Sequence, residues 1–392
     1  MSTVRSAPGR GRLLVDVRSI NARLDTGLGI CAYQVGRHLA TLCGDRVTFI
    51  QAPDAAPLGP QPPIRLRRPD FDLAADRKAL RTLTAAFGFD LTLSTFYPTP
   101  PSRRVPSVVM VQDLIPLRLA DQYRGTPVYD HYDTFLRASC RAAAHVVATS
   151  HATHRDVVEL YGISEQRISV IPLGADHVAD ADAAPDAPSP SVVNALAGRR
   201  FLLAACSTEP RKNLRATLAA HARIVARLGA DRPCLVLAGA GRGRLSDIHA
   251  LIAEHGDSDT VIVTGPVAPE QLAWLYRRAL CFVFPSLYEG FGLPVVEAMR
   301  MGTPVVCSNR TSLPEIGGDA VRYADPESPD DLARAIVGVI EDDAVRQDLQ
   351  ARGPRQAERF RWRETAVGLL DVIQRVLGHS VSVAPHTDDR SR

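Results

Sequence analysis

Residues 282–314 read FVFPSLYEGFGLPVVEAMRMGTPVVCSNRTSLP, and the architecture follows from this stretch. The apolar run CFVFPS has the length and flanks of a buried strand, and the glycines and proline of EGFGLP predict a tight turn after it. Residues 295–301 then take up helical spacing. Glu289 falls in the turn and Glu297 in the first helical turns, with seven residues between them. Gly290 and Gly292 leave the backbone bare, so amides at the helix start can face the negative oxygens of a ligand. Ionised carboxylates only accept hydrogen bonds, and hydroxyl groups are their natural donors. A ligand with both phosphates and hydroxyls fits this turn, and a nucleotide sugar has both.

The same alternation extends in both directions. RLLVDVRSI, VTFIQA, DLTLST, SVVMVQD, HVVATS and ISVIP are strand candidates of the first half, and FLLAACS, PCLVLAGA, TVIVTGP, CFVFPS and PVVCSN of the second. Short apolar runs alternating with helical patterns predict an α/β fold with parallel sheets covered on both faces. A chain of 392 residues exceeds one ordinary core and suits two such domains. Residues 13–178 and 199–360 are the expected domains. Residues 179–198, which include DADAAPDAPSP, read as an exposed linker, and residues 361–378 have the apolar spacing of a last helix. Residues 1–12 and 379–392 are polar and read as disordered. Two Rossmann-like domains of this kind bind ligands outside the carboxyl ends of their strands, here in a cleft between the sheets.

A second motif follows the strand FLLAACS: residues 208–213, TEPRKN, lead into a helical pattern from 214 to 228. Two adjacent cations, Arg211 and Lys212, at a helix entrance with unpaired amides and a positive dipole end form a diphosphate site on physical grounds. Of the 46 basic residues only Lys78 and Lys212 are lysines. A compact ammonium grips a phosphate differently from a planar fork, so a lysine at this place in an arginine-rich chain points to chemistry.

Composition narrows the function classes. Hydrophobic content of 45% and charged content of 23% are globular values, and a net charge of +3 gives no reason to expect nucleic acid. Seven scattered cysteines without a C-x-x-C pair read as buried reduced thiols of a cytoplasmic protein. No apolar run approaches the roughly 20 residues of a membrane span, so a lipid-linked acceptor would be met only by peripheral contact with the membrane. The basic segments at 65–68 and 103–104 could attract anionic lipid, but without aromatic or leucine anchors on an amphipathic face beside them they read as solvated loop charges. The D-x-D patterns at 70–72 and 180–182 read as chance, and no metal site is expected.

The string E-G-F-G-L-P-x-x-E-A-M-x-x-G-T-P-V-V, with E-P-R-K-N ahead of it, resembles the family-4 retaining glycosyltransferases, which have the GT-B fold. The resemblance implies that Glu289 lies close to the donor sugar and Glu297 holds the ribose hydroxyls. It also implies that the amides of Phe291, Gly292 and Leu293 meet sugar and diphosphate, that Arg211 and Lys212 offset the leaving diphosphate's charge without a divalent ion, and, through Trp362, that the helix at 361–378 returns to the first domain. In such a family the turn at Gly27 and Gly29 lies against the donor phosphates, but Ile30 and Cys31 stand where an arginine and an aromatic often follow. Gln112-Asp113 replaces a usual His-Asp. Gln112 still donates and accepts hydrogen bonds but does not titrate near neutrality, leaving it a sugar contact with Asp113 as an orienting carboxylate. Ser150 reads as a helix cap. The implied activity is metal-independent transfer of a hexose from a nucleotide sugar, mannose carried by GDP as the favoured guess, to a carbohydrate or lipid-linked acceptor. A nucleotide-sugar epimerase and a non-catalytic sugar-nucleotide sensor are the competing readings.

Overall fold

Apolar runs of a few residues pair side by side along the chain, and every described pairing is parallel. The computed structural model describes residues 11–20, 26–67, 78, 82–84, 87–96, 105–178, 187–205, 207–239, 245–255 and 259–381. Two units result. One runs to Leu173 and resumes at Trp362, and the other is Gly174–Arg361.

The first unit holds a seven-stranded sheet of β1 (Leu13–Asp16), β2 (Val47–Gln51), β3 (Ile64–Arg65), β4 (Leu91–Ser94), β5 (Ser107–Val111), β6 (His145–Ala148) and β7 (Ile168–Val170). Its order is β3-β2-β1-β4-β5-β6-β7. The second unit holds β8 (Phe201–Ala205), β9 (Cys234–Ala238), β10 (Val261–Gly265), β11 (Cys281–Phe284), β12 (Val305–Ser308) and β13 (Arg322–Ala324), in the order β10-β9-β8-β11-β12-β13. Both are doubly wound, with the order reversing beside the first strand of each sheet. That reversal opens a crevice at the carboxyl ends of β1/β4 and of β8/β11.

Helices cover the sheets by burying one stripe. In Leu214–Leu228 the buried positions include Leu214, Thr217, Leu218, His221 and Ile224, while Arg215, Arg223 and Arg227 stay in solvent. The stripe packs with Leu235, Leu237, Leu332 and Ile336. Each fully buried aliphatic side chain contributes about 1.5–3 kcal/mol. Helix Trp362–Leu377, from the far end of the chain, completes the first unit: Trp362, Leu369 and Ile373 are buried, the helix packs on Gly27–Cys43, and Thr365 Oγ1 donates to Pro172 O at 2.8 Å.

Several expectations need correction. The expected linker at 179–198 contains a helix, Pro190–Leu196, that buries Val192 and Leu196; Pro190 starts it and Ala197, at φ 48°, ends it. The rest of that linker up to residue 186 lies outside the described residues. Gly174–Val178 belongs to the second unit rather than the first. Arg65 is exposed but does not stand in a loop: it sits in β3 and its Nη1 donates to Ala52 O and Ala55 O at 2.7 and 2.6 Å. At the termini, Gly11 and Arg12 donate their amides to Asp90 Oδ2, and Val381 is buried, so order extends past both expected limits. Residues 1–10, 382–392, both D-x-D patterns and Arg103-Arg104 lie outside the described residues. Six cysteines are free and buried, with Cys206 not described. No described helix is long and apolar enough to cross a membrane.

Candidate functional site

In the second unit, loops leaving three neighbouring strands meet. The loop after β8 carries a short turn, Pro210–Lys212, closed by Asn213 in the left-handed region at φ 56°. Asn213 Nδ2 donates to Pro285 O and Pro326 O at 3.1 and 2.6 Å, lashing the turn to the loop after β11. Leu287 N donates to Arg211 O at 2.7 Å and reinforces the same junction. The loop after β12 joins through Thr311, whose Oγ1 accepts from Glu289 N at 3.1 Å. Ser312 Oγ, between Glu289 O at 3.0 Å and Phe291 O at 2.8 Å, adds to it.

This scaffold brings Arg211, Lys212 and Glu289 together. Glu289 Oε1 accepts from Lys212 Nζ at 2.6 Å, Arg211 Nη1 at 2.9 Å and Ser286 Oγ at 2.5 Å. Among the described residues no donor reaches Oε2. Arg211 is also gripped by Glu209, Nη2 to Oε2 at 2.8 Å, and Lys212 Nζ lies 4.7 Å from the centre of the Phe284 ring. Burial would raise the Glu289 carboxyl, but Lys212 and Arg211 outweigh it and hold it below its ordinary range. Burial lowers the Lys212 ammonium even though Glu289 opposes the shift.

Helix Leu293–Arg300 starts at Gly292, at φ 110°, with Pro294 in its first turn and no side-chain cap on its amides. Pro294 carries no amide hydrogen, and Val295 N and Val296 N donate to Gly292 O at 2.9 and 3.4 Å, so of the first turn it is the Leu293 amide and the positive end of the helix dipole that suit an anionic oxygen. A Cβ on Gly292 would lie 2.6 Å from Leu313 Cδ2, so glycine is required both by the dihedral and by space. Glu297, one turn further on, is buried, and its neighbours differ from those of Glu289. His177 Nε2 lies 3.3 Å from Oε1 and Tyr276 Oη 3.3 Å from Oε2. Glu297 has no described contact with Arg211 or Lys212.

The remaining candidates belong to the first unit. Gly27 and Gly29 do not form a bare loop: they open helix Gly27–Cys43, and Gly29 N is already capped by Thr26 Oγ1 at 2.9 Å. Gln112 Nε2 donates to Thr95 O at 3.1 Å, and Asp113 Oδ1 accepts from Ile115 N at 3.1 Å, so both polar ends serve the backbone at the carboxyl ends of β4 and β5. Ser150 Oγ caps its helix by accepting from Thr153 N at 3.0 Å. No group of metal-binding side chains occurs among the described residues.

Two family models match successive parts of the chain: "Glycosyltransferase Family 4" over residues 26–178 and "Glycosyl transferases group 1" over residues 191–356. The chain belongs to the family-4 glycosyltransferases. Similar members include the O-antigen chain mannosyltransferase B of Escherichia coli, 36% identical over 232 residues, which are 58% of this chain and 59% of that protein. The serotype-specific mannosyltransferase WbdA of Escherichia coli is 30% identical over 292 residues, 71% of this chain and 34% of the relative. The chain thus spans less than two thirds of these relatives' lengths. Sucrose-phosphate synthase from Thermosynechococcus elongatus shares the fold with a TM-score of 0.72 at 20% identity, over 94% of this chain and 99% of that one. The fold of this family-4 chain is accordingly GT-B, two parallel-sheet α/β domains.

Sequence reasoning missed Glu209, His177 and Tyr276. Glu209 stands inside the TEPRKN string and could have been named from it. His177 and Tyr276 carry no local signal, because folding alone brings them from separate segments to Glu297.

Proposed function

We propose that this chain is a retaining glycosyltransferase that moves a hexose from a nucleotide diphosphate sugar to an acceptor hydroxyl in polysaccharide or glycoconjugate biosynthesis. The mannosyltransferase relatives favour mannose, and GDP-mannose is the donor proposed. The observation that carries the reading is the convergence of Arg211 and Lys212 on one oxygen of Glu289 at the β8/β11 reversal. Cations there would receive the departing diphosphate, and the Leu293 amide with the positive end of helix Leu293–Arg300 would add to its stabilisation. Glu297 would take the ribose hydroxyls.

In the reaction the C1–O bond to the β-phosphate breaks with its electron pair on the phosphate oxygen. The acceptor oxygen bonds to C1 from the same face, and its proton passes to the leaving diphosphate. Glu289 suits charge stabilisation better than nucleophilic attack, because a carboxylate bonded by two cations and a hydroxyl has little nucleophilicity left. Its Oε2 would face the sugar. Two fixed cations supply the positive charge that a divalent ion supplies elsewhere, so transfer should proceed unchanged in EDTA.

The test is a thermal-shift screen of GDP, UDP and dTDP sugars followed by product analysis with the best donor, since a ligand bound only to the folded state raises the melting point. The expected product is an α-linked sugar from an α-linked donor. A changed nucleotide sugar released without acceptor would make the chain an epimerase, and binding with neither transfer nor hydrolysis a sensor.

A further inference from the structure

Glu297 is met at both carboxylate oxygens by residues that no sequence motif supplies. Tyr276, on helix Pro269–Arg278, is 2% exposed, and its ring is fixed edge-on against Phe282 at 5.3 Å. Its carbonyl accepts from Thr303 Oγ1 at 2.7 Å, which pins the backbone as well. Its hydroxyl lies 3.3 Å from Glu297 Oε2 and 3.4 Å from Pro294 O. Burial, with Glu297 beside it, keeps the phenol protonated far above neutrality, so it remains a donor. At the other oxygen His177, in the turn at 176–178, places Nε2 3.3 Å from Oε1, an ion-pair distance. The His177 side chain keeps 13% of its surface accessible, more than the 8% of Glu297.

A carboxylate has about four lone-pair positions, two on each oxygen. The Tyr276 hydroxyl takes one position on Oε2, His177 Nε2 stands at ion-pair distance from Oε1, and each oxygen keeps an acceptor position. A vicinal diol presents two hydroxyl donors with that spacing. We propose that His177 and Tyr276 are positioning residues that hold the Glu297 carboxylate in the orientation that accepts the 2′- and 3′-hydroxyls of a nucleoside diphosphate, with His177 the more accessible of the two. This rests on the reading of Glu297 as the ribose residue.

Titration calorimetry of the whole chain separates the two claims. The probes are GDP with its 2′-deoxy and 3′-deoxy forms, and UDP with the same two forms. The variants are His177→Gln, Tyr276→Phe and Glu297→Gln. Wild type should prefer ribose to either deoxy form for at least one base. His177→Gln and Tyr276→Phe should each shrink that preference about threefold to tenfold, the scale of one hydrogen bond, while deoxy-form affinity stays within about twofold. A role confined to folding would weaken ribose and deoxy forms alike. Full wild-type preference in both variants overturns the inference. Failure of wild type to distinguish the forms, or an undiminished preference in Glu297→Gln, overturns the ribose reading and the inference with it. Circular dichroism checks folding; if Tyr276→Phe does not fold, His177→Gln decides alone.

Discussion

Lys212 answers to three neighbours at once: Glu289 at 2.6 Å, the Phe284 ring beneath it, and the Arg211 cation beside it. The guanidinium of Lys212→Arg has a planar fork too broad for that seat, so it should fail nearly as badly as Lys212→Met. Both are expected to lower kcat about 10²–10³-fold, the loss typical of removing one preorganised charge-stabilising donor, as steady-state kinetics at saturating donor will show. Turnover near wild type in either variant would remove Lys212 from the chemistry. For Glu289 the pH dependence has a definite sign. Its folded value lies below the ordinary 4.5, so its pairing stabilises fully above that value and is lost as pH falls through the lower folded one. Glu289→Gln should therefore cost on the order of 2 kcal/mol from pH 8 down to 5, measured by urea unfolding, with the difference from wild type shrinking only in more acid solution. A difference that vanishes already at pH 6 would contradict the assignment.

At the scale of elements, the turn into helix Leu293–Arg300 depends on Gly292, and Gly302 just beyond the helix offers a control. Both have positive φ, 110° and 72°, but a Cβ at Gly302 meets nothing within 4 Å, whereas at Gly292 it strikes buried Leu313. Backbone strain of about 1–3 kcal/mol applies to both alanine variants and is greater at φ 110°, outside the left-handed well, so strain and clash together predict a larger fall in Tm for Gly292→Ala. Only Gly292→Ala should also weaken nucleotide binding, because it displaces the helix start; equal effects of the two substitutions would argue against that. This turn was legible in the sequence because EGFGLP joins glycine, proline and an apolar strand within a few residues. Strands β3 and β13 were not, being two and three residues long and bearing Arg65 and Arg322, too short for a period-two pattern to emerge. The seat of Glu297 was half legible: the glutamate sits in a local motif, while His177 and Tyr276 come from distant segments. The Thr26–Gly29 turn was legible as the entrance to a helix, and what the glycines did not disclose is that Thr26, a capping residue, begins the helix at Gly27 itself.

For the whole molecule, two doubly wound sheets could be expected from alternating apolar runs, whereas the return of the last helix to the first unit was implied only by the family resemblance at Trp362, because helical spacing alone does not say which unit a helix packs on. Trp362 is fully buried there with Leu369 and Ile373, each removing apolar surface worth about 2 kcal/mol from water. Their loss together with the rest of helix Trp362–Leu377 approaches the 5–15 kcal/mol that stabilises an ordinary domain. The second unit draws its sheet and core from Gly174–Arg361 alone, and Arg211, Lys212, Glu289, His177, Tyr276 and Glu297 all lie within it. A chain ending at Arg361 should therefore lose the first unit and keep the second. In hydrogen exchange, amides of β1, β2 and β4 should exchange rapidly, while those of β8, β9 and β11 stay protected and GDP still slows exchange around residues 289–297. Protected β1 amides in the truncated chain would show that the helix is dispensable to the first unit's core, and loss of protection in β8 would show that the two units do not fold independently.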